Sequence, residues 1–495
     1  MSISSVIIAQ LLGPEDYGLY SLIITVPSLF IGLADFGITS AITRFAAEFR
    51  AKGRDSDVKS VIKSGLFFEL TVGVIASVLC FIFSDAAAKY IINSPEAGFY
   101  IRIASILILF QILFDTLSAI FIGLDKMENN AVMMIIRAVT KILLSTLLIF
   151  LSFNVLGAVL GHISCYIVSV GIFLTFLVVK LRKKREHTNS GSGVLKSMLK
   201  YGAPLYISVI LGLFVSQYQT IILAFFTSKS AIGNFQVTSF FSTALSIIIY
   251  PLGALFPAFS KLDPKSEQLS QLFRRSVKYT ALLLIPASLA IVVMSNDLVL
   301  TFYGSEYNLA PTFVVFYMLT NLFAGFGSAV FVFLFNGVGR TDIVLKASLI
   351  NLIVFVPLAP LLISSYGVIG LILALLVSGF CSLIYRLVIA TKKLNVSIDI
   401  VSSAKIYLAS AISALLTFTF IATSPFTNII NLIFGCTIFL FTYITMLPTI
   451  GILNGTDIDI FRMLFHKIKS IWPIIRIFLS YETKVLEFTK RFKKK

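Results

Sequence analysis

Thirteen apolar runs of roughly twenty residues divide the chain, at about 19–43, 64–84, 101–123, 130–152, 155–180, 203–227, 231–259, 277–295, 309–336, 343–363, 366–390, 404–423 and 428–451. Each is long enough to cross a hydrocarbon core of about 30 Å as an α-helix. Ahead of them, Ile3 to Leu12 is an apolar stub. At about 1.5 Å per residue it reaches roughly half way through a bilayer. It reads as the remnant of a fourteenth span.

The basic residues fix an orientation. Of 40 Lys and Arg, only Lys89, Arg102 and Lys229 fall on one side of the predicted spans, and the rest fill the alternate gaps and the tail. The positive-inside rule makes the rich side cytoplasmic, with the C-terminus on it. The net charge of +17 therefore belongs to loops beside anionic lipid, and nucleic-acid binding is the weaker reading. A hydrophobic content of 58% with 13% charged residues lies far outside the soluble range. The N-terminus lacks the basic region of a cleavable signal peptide. Cys80, Cys165, Cys381 and Cys436 sit singly in apolar runs and read as inert core thiols. Neither metal nor cofactor is expected.

The chain repeats itself at an offset near 213 residues. Tyr17-Gly18-Leu19-Tyr20 corresponds to Ile232-Gly233-Asn234-Phe235, Phe121-Ile122-Gly123 to Phe335-Asn336-Gly337, and Asn154-Val155-Leu156-Gly157 to Gly367-Val368-Ile369-Gly370. The offset holds an even number of spans, so the copies share one orientation and a pseudo-two-fold along the membrane normal. The predicted fold class is an all-α polytopic membrane protein of about 14 transmembrane helices, the first truncated, in two six-helix lobes plus two extra helices. The expected domains are an N-lobe (1–180), a basic cytoplasmic linker (181–200), a C-lobe (201–392), two additional spans (403–451) and an amphipathic basic tail (452–495) interrupted at Pro473. The extra spans either form a lateral groove for a lipid tail or pack against one lobe.

Ionisable side chains at depth in a bilayer are costly and usually mark a path. Here they concentrate in the first lobe: Asp35, Arg44, Glu69, Asp115, Arg137, Lys141 and His162. Arg137, Lys141 and Ser145 share one helix face by i, i+4, i+8 spacing. That stripe is expected to bind an anionic head from a cavity, with an ion pair from Lys141 to Glu69 or Asp115 as the alternative. The second-lobe equivalents, Ile350 and Val354, are apolar. Phosphate or pyrophosphate suits the pairing, since Arg offers a planar fork and Lys a compact charge. Arg44 joins the phosphate candidates, although snorkelling also accounts for it. Asp35, Glu69 and Asp115 are candidates for ion coupling. Gln111, Gln217, Gln219, Asn321 and Asn351 are candidates for sugar contacts, with plain interhelical hydrogen bonding equally open.

Several motifs resemble one family. Leu11-Leu12-Gly13-Pro14-Glu15-Asp16-Tyr17-Gly18-Leu19-Tyr20 closely resembles the opening signature of the lipid-linked oligosaccharide and polysaccharide flippases (Wzx-like) of the multidrug/oligosaccharidyl-lipid/polysaccharide exporter superfamily. Asp35-Phe36-Gly37 with Arg44-Phe45, Tyr303-Gly304-Ser305-Glu306-Tyr307, Gly337-Val338-Gly339-Arg340-Thr341 and Tyr366-Gly367-Val368-Ile369-Gly370 are similar to further elements of that family. The resemblance implies a two-lobed, fourteen-helix fold that moves lipid-linked oligosaccharides to the external leaflet by alternating access through a cationic cavity. Arg137 and Lys141 fit the pyrophosphate-binding role there. The family's first helix is complete, and a late-assigned start is the preferred explanation of the stub. The expected partners are the lipid-linked oligosaccharide, membrane lipids and glycan polymerases or glycosyltransferases. A cation-coupled multidrug exporter and a non-transporting scaffold are the rivals. An enzyme is not expected, because no external gap is long enough for a catalytic domain.

Overall fold

The structure is a computed structural model that describes residues 2–182, 192–249, 252–253, 255–453, 455–465 and 472–493. Among the described residues it is all helix. The elements are α1 (Ser2–Ala34), α2 (Ile38–Ala51), α3 (Asp55–Ile82), α4 (Ser84–Tyr90), α5 (Ala97–Gly123), α6 (Met127–Leu148), α7 (Asn154–Arg182), α8 (Ser192–Phe226) and α9 (Lys229–Ile249). There follow α10 (Leu255–Ser260), α11 (Glu267–Val293), α12 (Ser295–Phe302), α13 (Ala310–Leu322), α14 (Phe331–Gly337), α15 (Thr341–Leu394), α16 (Ile400–Thr423), α17 (Asn428–Thr449), α18 (Gly455–Phe465) and α19 (Trp472–Lys493). They divide into two compact units, Met1–Val237 with Val356–Leu371 and Thr238–Phe355 with Ile372–Lys495. Most of the predicted linker, including its Arg182-Lys183-Lys184-Arg185 cluster beyond Arg182 and its Ser-Gly stretch up to Gly191, lies outside the described residues.

Nine described helical stretches are long and apolar enough to cross a membrane, and a tenth if the pair Ala310–Phe326 and Phe331–Gly337, bent by 43°, is one span. The protein is an all-α polytopic membrane protein. Two of the nine stretches, Met127–Leu177 and Thr341–Leu394, run to 51 and 54 residues. A straight helix of that length would extend about 80 Å, more than twice the hydrocarbon thickness. Each is a hairpin. The first folds at Ser152 (φ 65) and Asn154 (φ 44, ψ −123), the second at Gly367 (φ 55, ψ −135). Gly161 then packs on Ser145 of the preceding helix, and Ser382 Oγ donates to the Ala347 carbonyl at 2.9 Å. The repeat matched Asn154 with Gly367, and the two positions turn through nearly the same dihedral angles.

The stub forms its own helical piece. Gly13 adopts φ 72, ψ 172 inside α1 and joins residues 2–12 to the longer piece that Pro14 opens. Positive φ suits glycine, and Pro is at home in the first turn of a helix. The run predicted at 19–43 is not one helix: Phe36 (φ 47) and Gly37 (φ 75) break it between α1 and α2. Gly37 is the N-cap of the new helix, and Asp35 Oδ1 accepts from the first-turn amide of Thr39 at 3.2 Å. A side chain at Gly37 would strike the backbone of Gly202, so the break also lets α8 approach closely. Pro473 lies in the first turn of α19, where its missing N–H costs nothing.

Candidate functional site

The break after α1 opens a polar cavity of about 380 Å³ within the first unit. Asp35 lies at the break itself, and α2 adds Thr39, Ser40 and Thr43 to the wall. Glu69 enters from α3, Asp115 and Ser118 from α5, and Leu213 of α8 closes one side. Thr39 and Thr43 lie four residues apart on α2 and so project from one helical face, while the turn at Phe36–Gly37 carries Asp35 to the same wall. Thr43 Oγ1 donates to the carbonyls of Thr39 (3.1 Å) and Ala119 (3.2 Å), pinning α2 to α5. Ser118 Oγ donates to Asn130 Oδ1 at 2.8 Å.

Glu69 is the exceptional member. It has 0% surface exposure, and neither carboxylate oxygen has a hydrogen-bond partner among the described residues. A charged carboxylate at the centre of a membrane helix costs on the order of 3 kcal/mol even on permissive insertion scales. Three such groups around one small cavity call for a proton or a monovalent cation as compensation. Although the three carboxylates share one cavity, no three His, Cys, Asp or Glu side chains among the described residues converge closely enough to hold a metal ion, which favours the proton. The predicted ion pair from Lys141 to Glu69 or Asp115 is not formed among the described residues.

The basic stripe gathers elsewhere in the same unit. Lys141 is 6% exposed and Ser145 0%, both against α7. Arg137 Nη1 donates to the Tyr166 hydroxyl at 3.2 Å, with its guanidinium 4.6 Å from the Phe114 ring centroid and 5.3 Å from that of Tyr166. His162 stacks on Tyr166 and shares a 2.6 Å hydrogen bond with the Tyr20 hydroxyl. These residues form an aromatic-walled cationic cluster among α1, α5, α6 and α7, and none of them lines the acidic cavity. Arg44 is exposed on α2, its guanidinium 4.2 Å from the Tyr201 ring centroid.

The remaining candidates are dispersed. Gln111 is half-buried one turn before Asp115, and Gln217 and Gln219 are half-buried on α8. In the second unit, Asn351 Nδ2 donates to Ser378 Oγ at 3.4 Å, and Asn321 Nδ2 reaches only Met318 Sδ at 3.6 Å. Sequence reasoning missed Thr39, Ser40, Thr43 and Ser118 as cavity wall. The one-turn spacing of Thr39 and Thr43 was the available signal for two of them.

An all-α membrane fold of hairpins, with carboxylates and cations set inside apolar helices, has the make-up of a polytopic membrane transporter. The chain belongs to the polysaccharide biosynthesis protein family, whose sequence model matches residues 2–263. It is 22% identical over 303 residues to the succinoglycan biosynthesis transport protein ExoT of Rhizobium meliloti, covering 61% of this chain and 58% of that one. It is 21% identical to a probable low-salt glycan biosynthesis flippase of Haloferax volcanii, covering 73% and 74% of the two chains. In fold it is similar to the lipid II flippase MurJ in an inward closed conformation, with a TM-score of 0.71 at 16% identity, covering 90% of this chain and 95% of that one.

Proposed function

We propose that the protein is a flippase that moves polyprenyl-(pyro)phosphate-linked oligosaccharides from the cytoplasmic to the external leaflet for surface glycan synthesis. The observation that carries this reading is membership of the polysaccharide biosynthesis protein family, together with relatives named as glycan transporters and flippases. In this reading the lobes 1–180 and 201–392 alternate access to a path between the leaflets. The Lys/Arg-rich loops and the C-terminus face the cytoplasm, where glycosyltransferases or glycan polymerases supply or consume the substrate. The Arg137–Lys141 cluster neutralises the phosphate head, with Arg44 guiding its entry. The carboxylates Asp35, Glu69 and Asp115 carry the coupling cation. Buried cations on an aromatic wall suit a diphosphate, because water excluded by Phe114 and Tyr166 cannot screen the interaction.

The test compares lipid-linked glycan precursor and surface glycan in a deletion strain carrying wild type or Lys141→Ala. Accumulated precursor with lost surface glycan, corrected by wild type alone, supports flipping and the role of Lys141. Normal glycan in the deletion strain refutes it. The acidic cavity favours a second reading, a cation-coupled multidrug exporter. Energy-dependent efflux of cationic dyes by the purified protein in liposomes, with no flipping of a lipid-linked glycan, would select it.

A further inference from the structure

We infer that the groove on the exposed face of α19 binds the phosphate headgroup of an acidic phospholipid. The groove has a volume of about 530 Å³ and is lined by Pro473, Arg476, Ser480, Tyr481 and Lys484. Arg476, Ser480 and Lys484 follow at i, i+4 and i+8, so a hydroxyl stands between two cations on one helical face. All three are exposed, and neither cation has a carboxylate within ion-pair distance among the described residues. Glu482 on the same helix is 0% exposed and turned to the opposite face, and Glu487, exposed three residues beyond Lys484 on the cationic face, makes no ion pair with either cation among the described residues.

The height of the groove is fixed by its fifth residue. The Tyr481 hydroxyl and Thr445 Oγ1 are 2.8 Å apart, and the Tyr481 ring lies 6.0 Å from that of Phe441. Both partners belong to the last turns of the membrane span α17, which ends at Thr449. Anchored there, the groove lies at the level where a span leaves the hydrocarbon and lipid phosphates begin. Charge complementarity selects the occupant. Two unpaired cations attract a headgroup with net negative charge, whereas the choline of a zwitterionic lipid repels them. Arg supplies a planar fork for phosphate oxygens, and Ser and Lys supply further donors. The inference needs α19 to lie at a membrane surface but is independent of what the protein transports.

The chain contains one tryptophan, Trp472, next to the groove residue Pro473, and it serves as the reporter. The full-length protein is reconstituted into phosphatidylcholine vesicles holding a fixed fraction of bromine-labelled phosphatidylglycerol or of bromine-labelled phosphatidylcholine. Quenching of Trp472 reports which lipid lies beside the groove. Two cations predict an enrichment of the acidic lipid on the order of ten-fold. The double variant Arg476→Glu/Lys484→Glu, changed only at exposed positions, is expected to lose that preference. Arg462→Glu on α18, also exposed, is expected to keep it. Equal quenching by the two lipids in wild type overturns the site. So does loss of the preference in Arg462→Glu, which would mark a diffuse surface charge, or its abolition by excess inorganic phosphate, which would mark a site for a soluble anion. Because the readout is lipid proximity, its failure leaves the flippase reading to be judged by the glycan experiment alone.

Discussion

Gly18 and Gly233 occupy reciprocal positions: a methyl group on Gly18 would lie 1.9 Å from the Lys229 carbonyl oxygen, and one on Gly233 would lie 1.9 Å from the Pro14 carbonyl oxygen. Each glycine faces the residue four positions before the other, so the contact is the same from either side, as at a two-fold axis. Tyr17-Gly18 and Ile232-Gly233 are also the residues matched by the sequence repeat, so this crossing of α1 and α9 joins two matched positions. Small residues let helix backbones approach closely where lipid offers no hydrophobic drive.

Gly18→Val is therefore expected to lower stability by about 1–3 kcal/mol or more, since the new atoms meet backbone rather than a movable side chain. Gly212→Ala, where nothing lies within 4 Å of the added methyl, is expected to be neutral or stabilising by up to about 1 kcal/mol. Thermal unfolding in detergent compares the two. Equal melting temperatures would mean that the close crossing does not bear on stability.

The acidic cavity predicts the coupling behaviour. Asp35→Asn and Glu69→Gln keep shape and remove charge, so each is expected to leave the fold intact while abolishing any proton or sodium dependence of transport in liposomes. Unchanged ion dependence in both variants would remove the cavity from the coupling mechanism.

Lys278 and Asp457 are joined at 2.6 Å, with side chains 14% and 11% exposed, and the Tyr279 hydroxyl donates to the same carboxylate at 2.7 Å. This bridge ties α18 to α11. Removing one partner of a mostly buried pair strands the other, at a cost of about 1–3 kcal/mol after allowance for residual solvent. Asp457→Asn should speed limited proteolysis of the C-terminal segment several-fold, and an unchanged cleavage rate would show that α18 is held by other contacts.

Glu482 faces Tyr443 of α17 from α19 with 0% exposure and neither oxygen hydrogen-bonded among the described residues, and burial pushes its carboxyl up to about 8 from an ordinary 4.5. The docked helix thus holds a proton that an undocked helix releases. Docking is at full strength below about 4.5 and weakens as pH rises through about 8. Trp472 emission followed against pH should show this weakening in wild type and a flat profile in Glu482→Gln. Identical profiles would exclude Glu482 as the titrating group.

Much of this architecture is legible in the sequence because bilayer thickness imposes a length on every span. The hairpin breaks showed through their turn residues, as Asn154 and Gly367 demonstrate. The break at Asp35–Gly37 was hidden, because hydropathy scores Phe36 as apolar and says nothing of its positive φ. The candidate site was half legible. Ionisable residues in apolar runs marked Asp35, Glu69, Asp115, Arg137 and Lys141 individually. Which neighbour each helix face meets depends on packing, so the separation of acids from bases into a cavity and an aromatic cluster was not visible in the spacing.

The turns at Ser152–Asn154 and at Gly367 also bear on how the chain enters the bilayer during synthesis. Neither leaves a long loop to be threaded across ahead of its second helix, since five residues separate α6 from α7 and a single residue divides α15. Each pair is therefore expected to enter the bilayer as one helical hairpin. The repeated chain is thereby built, twice over, from the same two-helix parcel.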